Sequence, residues 1–420
     1  MRSDEVRAAG RLAGQLFGGV VSEVEHVHQA VAKRSFGPTG PLGRPARVVH
    51  DGIAQAVYGG LRGGGSIAGA CTGQVMSMVA REDRETGPSS SMNVALSALN
   101  AAIGDRLADA GDPLAIPMAV REVGRDVVLT RAALAATHPR ATPKLVVFVH
   151  GLGETEGSWR PGRGAVDQVS YGDALRDELG YTPVYLRYNT GRHISDNGRE
   201  LAGLLRELTD AWPAPVEELL LIGHSMGGLV IRSACHDGQA AAEAWVGAVR
   251  HIFYLGSPHL GAPLARGAGL LGWLLARAPE TRAFAPMVNG PSAGIRDLRF
   301  GYILEEDWID CHAETCLRDH RHDAPLLDGA DHYAISVTVT TDPSHLVGRL
   351  VGDLLVRPAS AHGRRRRHQH VAFPVDGERQ LGGMHHFDLL RHGDVWAEMR
   401  SLLDPSRRRS PDIPDLTPLS

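Results

Sequence analysis

Gly223-His224-Ser225-Met226-Gly227 sets a serine between two glycines. In a chain with 50 glycines this pattern alone is close to a chance event. Its neighbours give it meaning. It follows the apolar run Leu219-Leu220-Leu221-Ile222 and leads into Leu229-Val230-Ile231, so it falls where a buried strand turns sharply into a helix. That setting lifts a nucleophilic serine oxygen above a sheet, and Gly223 and Gly227 leave room for the turn. A serine attacking an acyl carbon also needs donors for the charge that develops on the carbonyl oxygen. They come from the N–H after the nucleophile and from another N–H after an early strand. Met226 holds the first position. His150-Gly151-Leu152-Gly153 directly follows the strongest apolar strand, Lys144 to Val149, which makes the N–H of Leu152 the candidate for the second. A glycine-rich turn after a strand can instead cradle phosphate, but the G-K-[ST] continuation is missing.

Such residues need a sheet to hold them. From about residue 125 short apolar runs alternate with amphipathic stretches. Strands are predicted at Val127 to Leu129, Lys144 to Val149, Thr182 to Tyr188, Glu218 to Ile222, His251 to Leu255 and Tyr333 to Thr340. Leu201, Leu204, Leu205 and Leu208 mark one helix face, and Asp388 to Leu403 reads as a closing helix. Strands separated by helices predict a mostly parallel, doubly wound sheet with helices on both faces and its site at the carboxyl ends of the strands. Ahead of it, Leu16, Phe17, Val20, Val21, Val24, Val27 and Val31 recur at helical spacing, and Ala-rich helical text follows around Met92 to Ala110. The expected organisation is an all-helical N-terminal extension over 1–122, an α/β domain over 123–404 and a disordered tail over 405–420. The extension is expected to pack on the main domain, with weak membrane-surface contact through its amphipathic helices as the second reading.

Composition narrows the classes. An apolar fraction of 43%, a charged fraction of 22% and a net charge of −4 leave no broad basic field, so no nucleic-acid partner is expected. Arg364 to Arg367 and Arg407 to Arg409 read as solvated loop and tail. Met1 to Arg7 lacks the apolar core of a signal peptide, and no later run is long enough to span a bilayer, which predicts a cytoplasmic protein. Four cysteines make no disulfide framework. Cys311, Cys316, His320 and His322 match no zinc spacing closely, and neither metal nor organic cofactor is expected.

Taken together, His150-Gly151-Leu152-Gly153 and Gly223-His224-Ser225-Met226-Gly227-Gly228 resemble segments of bacterial triacylglycerol lipases and of the related GPI-inositol-deacylase-like hydrolases. Tyr188-Asn189-Thr190-Gly191, Leu255-Gly256-Ser257-Pro258-His259-Leu260-Gly261-Ala262-Pro263 and Gly352-Asp353-Leu354-Leu355-Val356 with Ser360-Ala361 are similar to further segments of that group, and Leu354 stands where glycine is usual. The resemblance covers about residues 125–403. It implies the α/β-hydrolase fold, a Ser-His-Asp triad in the chain order serine, acid, histidine, and a serine carboxylic-ester hydrolase of the esterase or lipase kind. Ser225 would be the nucleophile. Asp353 fits the acid by order and segment, with Asp342 as a rival at the end of its strand. His386, in His386-Phe387-Asp388-Leu389-Leu390, resembles the segment carrying the base, and the adjacent His385 is the weaker candidate.

Leu270, Leu271, Trp273, Leu274 and Leu275 fall in an insertion over about 263–330, where such lipases carry a lid. The small-molecule or lipid substrate is therefore expected to be a lipophilic ester. An acyltransferase or thioesterase would use the same triad on another acceptor or ester. A scaffolding protein would leave it idle.

Overall fold

The computed structural model describes residues 90–161, 168–262, 291–309, 321–365, 368–369 and 371–404. The amphipathic stretch near the N-terminus, the Leu270 to Leu275 cluster, Cys311, Cys316, His320, Arg366, Arg367 and the 405–420 tail lie outside them. The chain divides into two compact units, Met1–Ile116 with Leu271–Ser292 and Pro117–Leu270 with Ala293–Ser420.

In the first unit, helix α1 (Ser90–Asp109) occupies the expected Ala-rich stretch. Asn100 fixes the chain that leaves it: its amide donates to the carbonyls of Leu96 (3.0 Å) and Leu114 (2.8 Å) and accepts from Ile116 N–H (3.0 Å). These bonds hold Leu114 and Ile116 in a small core with Leu96, Leu99 and Leu107.

The second unit is built on one sheet. Its strands are β1 (Ala119–Glu122), β2 (Arg125–Asp126), β3 (Lys144–Val149), β4 (Thr182–Arg187), β5 (Glu218–His224), β6 (Val249–Leu255), β7 (Asp331–Thr338) and β10 (Glu378–Gly382). The short strands β8 (Arg364–Arg365) and β9 (His368–Gln369) pair separately. Among the described residues the sheet order is β10-β7-β6-β5-β3-β4-β1-β2, parallel from β10 to β4 and antiparallel at β1 and β2. Its central strands are buried almost end to end, five consecutive residues in β3 and six in β5, as a sheet covered on both faces requires.

The connecting helices are α2 (Arg131–Thr137), α3 (Tyr171–Leu179), α4 (Ile194–Ala211), α5 (Met226–Ala240), α6 (Ala293–Phe300), α7 (Leu346–Val351), α8 (Pro358–Ala361) and α9 (Gly393–Leu402). Side chains alternate across a strand. Val146, Phe148, Ile222, Phe253 and Ile335 thus join Tyr171 of α3 and Trp396 of α9 in one core, with Trp159. Leu201, Leu204, Leu205 and Leu208 form the buried face of α4 as expected.

Two local expectations need correction, and one strand was not anticipated. The strand expected at Val127 to Leu129 lies just beyond a hairpin: β1 and β2 are the paired segments, and Val128 is exposed. The closing helix is interrupted, with a 3-10 turn over His386–Leu390 and α9 beginning at Gly393 under a cap in which His392 Nδ1 accepts from Asp394 N–H. Finally, β10 lies in the sheet's parallel run although its residues, Glu-Arg-Gln-Leu-Gly, carry no apolar run.

Candidate active site

Ser225 sits between the last residue of β5 and the first of α5, at φ 52 and ψ −120. Residues with a side chain rarely hold such angles, which cost about 1–3 kcal/mol and persist only where the surroundings impose them. Here the surroundings do. Ser225 N–H donates to Leu255 O at the end of β6 (2.8 Å), and Gly228 N–H donates back to Ser225 O (3.2 Å). A methyl group at Gly223 would strike the backbone of Gly227 and Gly228, and one at Gly227 would strike the carbonyls of Val149 and His150. Both glycines are therefore demanded by close backbone approach.

Asp353 and His386 are brought together. Asp353 occupies a tight turn after α7, between Gly352 at φ +68 and Leu354 at φ +82. Its carboxylate divides its work: Oδ1 accepts from the N–H groups of Leu355 (2.9 Å) and Val356 (2.7 Å), which fixes the side chain, and Oδ2 lies 2.6 Å from His386 Nδ1. His386 N–H also donates to Asp353 O (3.2 Å). With Nδ1 donating to the acid, His386 presents Nε2 as a proton acceptor. Burial by itself drives an imidazole toward its neutral form, but the Asp353 carboxylate, through charge and hydrogen bond, and Glu154 farther off reverse this and raise the His386 pKa. The ring packs against Gly256, where a methyl would come within 3.2 Å of its Nδ1; Gly256 follows the residue that holds Ser225 N–H. Asp342 and His385 are not part of this arrangement. Asp342 is exposed and accepts from Ser344, while His385 is exposed and faces Asp388.

The loop after β3 lies against the serine, since a methyl at Gly151 would be 3.1 Å from Ser225 Cβ. Its N–H groups are mostly committed: Gly151 to Glu154 Oε2 (2.8 Å), Gly153 to Thr190 Oγ1 (3.2 Å) and Glu154 to Gly151 O (3.2 Å). Leu152 N–H has no partner among the described residues. Met226 is the first residue of α5, where helix geometry supplies no acceptor for an N–H. The Tyr188 to Gly191 segment supports the loop, with Tyr188 OH donating to His150 O (2.8 Å) and its ring stacked on that of His150. Burial lowers the His150 pKa.

Sequence reasoning stopped at Gly153 and missed the next residue. Glu154 is fully enclosed and faces His224, Nδ1 to Oε1 at 2.9 Å. Burial pushes its pKa up, but the charge and hydrogen bond of His224 and the Gly151 N–H bring it down to about 2. The available signal was a carboxylate directly after a glycine turn on a buried strand, where only a paired one is tolerated. Among the described residues no group of three His, Cys, Asp or Glu side chains is placed to hold a metal ion.

Residues 141–272 match the family described as the PGAP1-like alpha/beta domain. No curated protein sequence matches the chain. Solved structures similar to it include the mature lipase BlEst2 of Bacillus licheniformis, at 18% identity and TM-score 0.40 over 62% of this chain and 91% of that one. Another is the RedJ thioesterase of the prodiginine pathway in Streptomyces coelicolor, at 18% identity and TM-score 0.37 over 63% and 91%. A third is a lipase-esterase related protein of Clostridium acetobutylicum, at 13% identity and TM-score 0.32 over 63% and 94%. The parallel sheet and helices, with the serine turn after β5, are those of the α/β-hydrolase fold.

Proposed function

We propose that the chain is a serine hydrolase that cleaves a carboxylic ester through an acyl-enzyme. The observation that carries this reading is a serine in a strained strand-to-helix turn, together with a buried His386–Asp353 pair in which Nδ1 faces the acid and leaves Nε2 to accept a proton. Ser225 Oγ attacks the ester carbonyl and gives its proton to His386 Nε2. The carbonyl oxygen takes the electron pair as an oxyanion facing the N–H groups of Leu152 and Met226. Collapse expels the alcohol, which receives the proton from His386. Water then gives a proton to His386 and attacks the acyl carbon, and collapse releases the acid as His386 returns that proton to Ser225 Oγ. Asp353 holds the imidazole in the required tautomer and stabilises its cation. The apolar Leu270 to Leu275 text favours a lipophilic ester.

The test is hydrolysis of p-nitrophenyl esters followed at early times. The wild-type protein is expected to release p-nitrophenol, and Ser225→Ala to fall to the uncatalysed rate. Wild-type turnover by Ser225→Ala would remove the assignment.

A further inference from the structure

Glu154 is 3% exposed, and both of its oxygens are engaged. Oε2 accepts from Gly151 N–H at 2.8 Å, and both oxygens face His224 Nδ1, at 2.9 and 3.1 Å. His224 is wholly buried, and its other nitrogen, Nε2, lies 3.1 Å from the carbonyl oxygen of His386. Both ring nitrogens thus face oxygen atoms, the Glu154 carboxylate at one end and the main-chain carbonyl of His386 at the other. The rings of His224 and His386 are 4.6 Å apart.

Each end of this chain lands on a group the reaction needs. Gly151 precedes Leu152, whose N–H has no partner among the described residues while Gly151 on one side is held by Glu154 and Gly153 on the other by Thr190. His224 precedes Ser225, and its far nitrogen holds the main chain of His386. We propose that Glu154 is a positioning residue: through Gly151 it sets the oxyanion donor, and through His224 it sets the main chain of the base. A carboxylate and an imidazole buried this deeply do little for stability compared with apolar side chains of the same volume. Their placement among the three reacting elements gives them a use that packing alone would not.

The inference rests on the hydrolase reading above, and the experiment separates the two. Steady-state kcat and KM for p-nitrophenyl butyrate are measured for the wild type, E154A and E154Q, with circular dichroism to verify folding. Misplacing reacting groups by about an ångström costs on the order of 100-fold in rate. E154A is therefore expected to lose about 100-fold in kcat with KM nearly unchanged. E154Q keeps an oxygen for Gly151 N–H and an amide donor for His224, so it is expected to recover at least about 10-fold of that loss. A folded E154A with wild-type kcat overturns the proposal, as do equal losses in E154A and E154Q. If E154A does not fold, E154D decides: its carboxylate, one methylene short, is expected to lose at least about 10-fold in kcat, and wild-type kcat in it overturns the proposal. Absence of wild-type turnover removes the hydrolase reading and this inference with it. Wild-type turnover with indifferent Glu154 variants removes the inference alone.

Discussion

Asp353 spends one carboxylate oxygen on its own turn and the other on His386, an arrangement that fixes both the tautomer and the charge preference of the imidazole. In the proposed reaction His386 is the base and works only when neutral, so activity is expected to fall as pH drops through its pKa. That pKa is raised above the ordinary 6.5, and the acid limb of kcat/KM is accordingly expected above pH 6.5. Asp353→Asn removes the nearest raising charge. The limb is expected to move to lower pH while kcat falls by about 10⁴-fold, the size of loss that follows when the imidazole is left in the wrong tautomer. A pH–rate profile of both proteins checks this, and an unmoved limb in the variant would separate His386 from catalysis.

At the scale of elements, two of the turns that hold a side chain at positive φ carry candidate site residues. The elbow cannot accept a side chain at Gly227 because the carbonyls at the end of β3 and in the following loop occupy the space; Gly227→Ala is expected to lose activity and more than about 1 kcal/mol of stability, read by urea unfolding. The Asp353 turn does the reverse, holding Leu354 at φ +82 with its side chain 51% exposed. Relieving a left-handed side chain is worth about 1–2 kcal/mol, less about 0.5–1 for the freedom glycine loses on folding. Leu354→Gly is expected to raise the thermal midpoint by about 1–2 °C, and a lowered midpoint would contradict the reading.

The same elements mark what was legible in the sequence. β3, β5 and β6 announced themselves because strands buried on both faces read as unbroken apolar runs. The edges β1, β2 and β10 did not, being short or polar and held by ladder bonds that leave no hydrophobic signature. The sequence placed Ser225, Asp353 and His386 in order, and the structure brings the last two into contact. It left Asp342 as a rival because distance from His386 is a tertiary fact. Glu154 went unread for the same reason: its meaning lies in His224, seventy residues away.

On the scale of the molecule, the sheet gathers groups from distant parts of the chain at the carboxyl ends of β3 and β5, with β7 and β10 leading to the segments that bring Asp353 and His386 to the same place. No helix among the described residues is long and apolar enough to cross a membrane. If the Leu270 to Leu275 text faces substrate, p-nitrophenyl esters should be cleaved faster as the acyl chain lengthens from acetate through octanoate, whereas activity confined to acetate would count against a lipophilic ester. The central claim is narrower, that Ser225 is the nucleophile, and it is tested most directly by intact-mass analysis after treatment with a fluorophosphonate. The expected result is one adduct per chain, mapped by peptide sequencing to Ser225 and absent from Ser225→Ala. Stoichiometric labelling of Ser225→Ala, or an adduct mapped elsewhere, would contradict it.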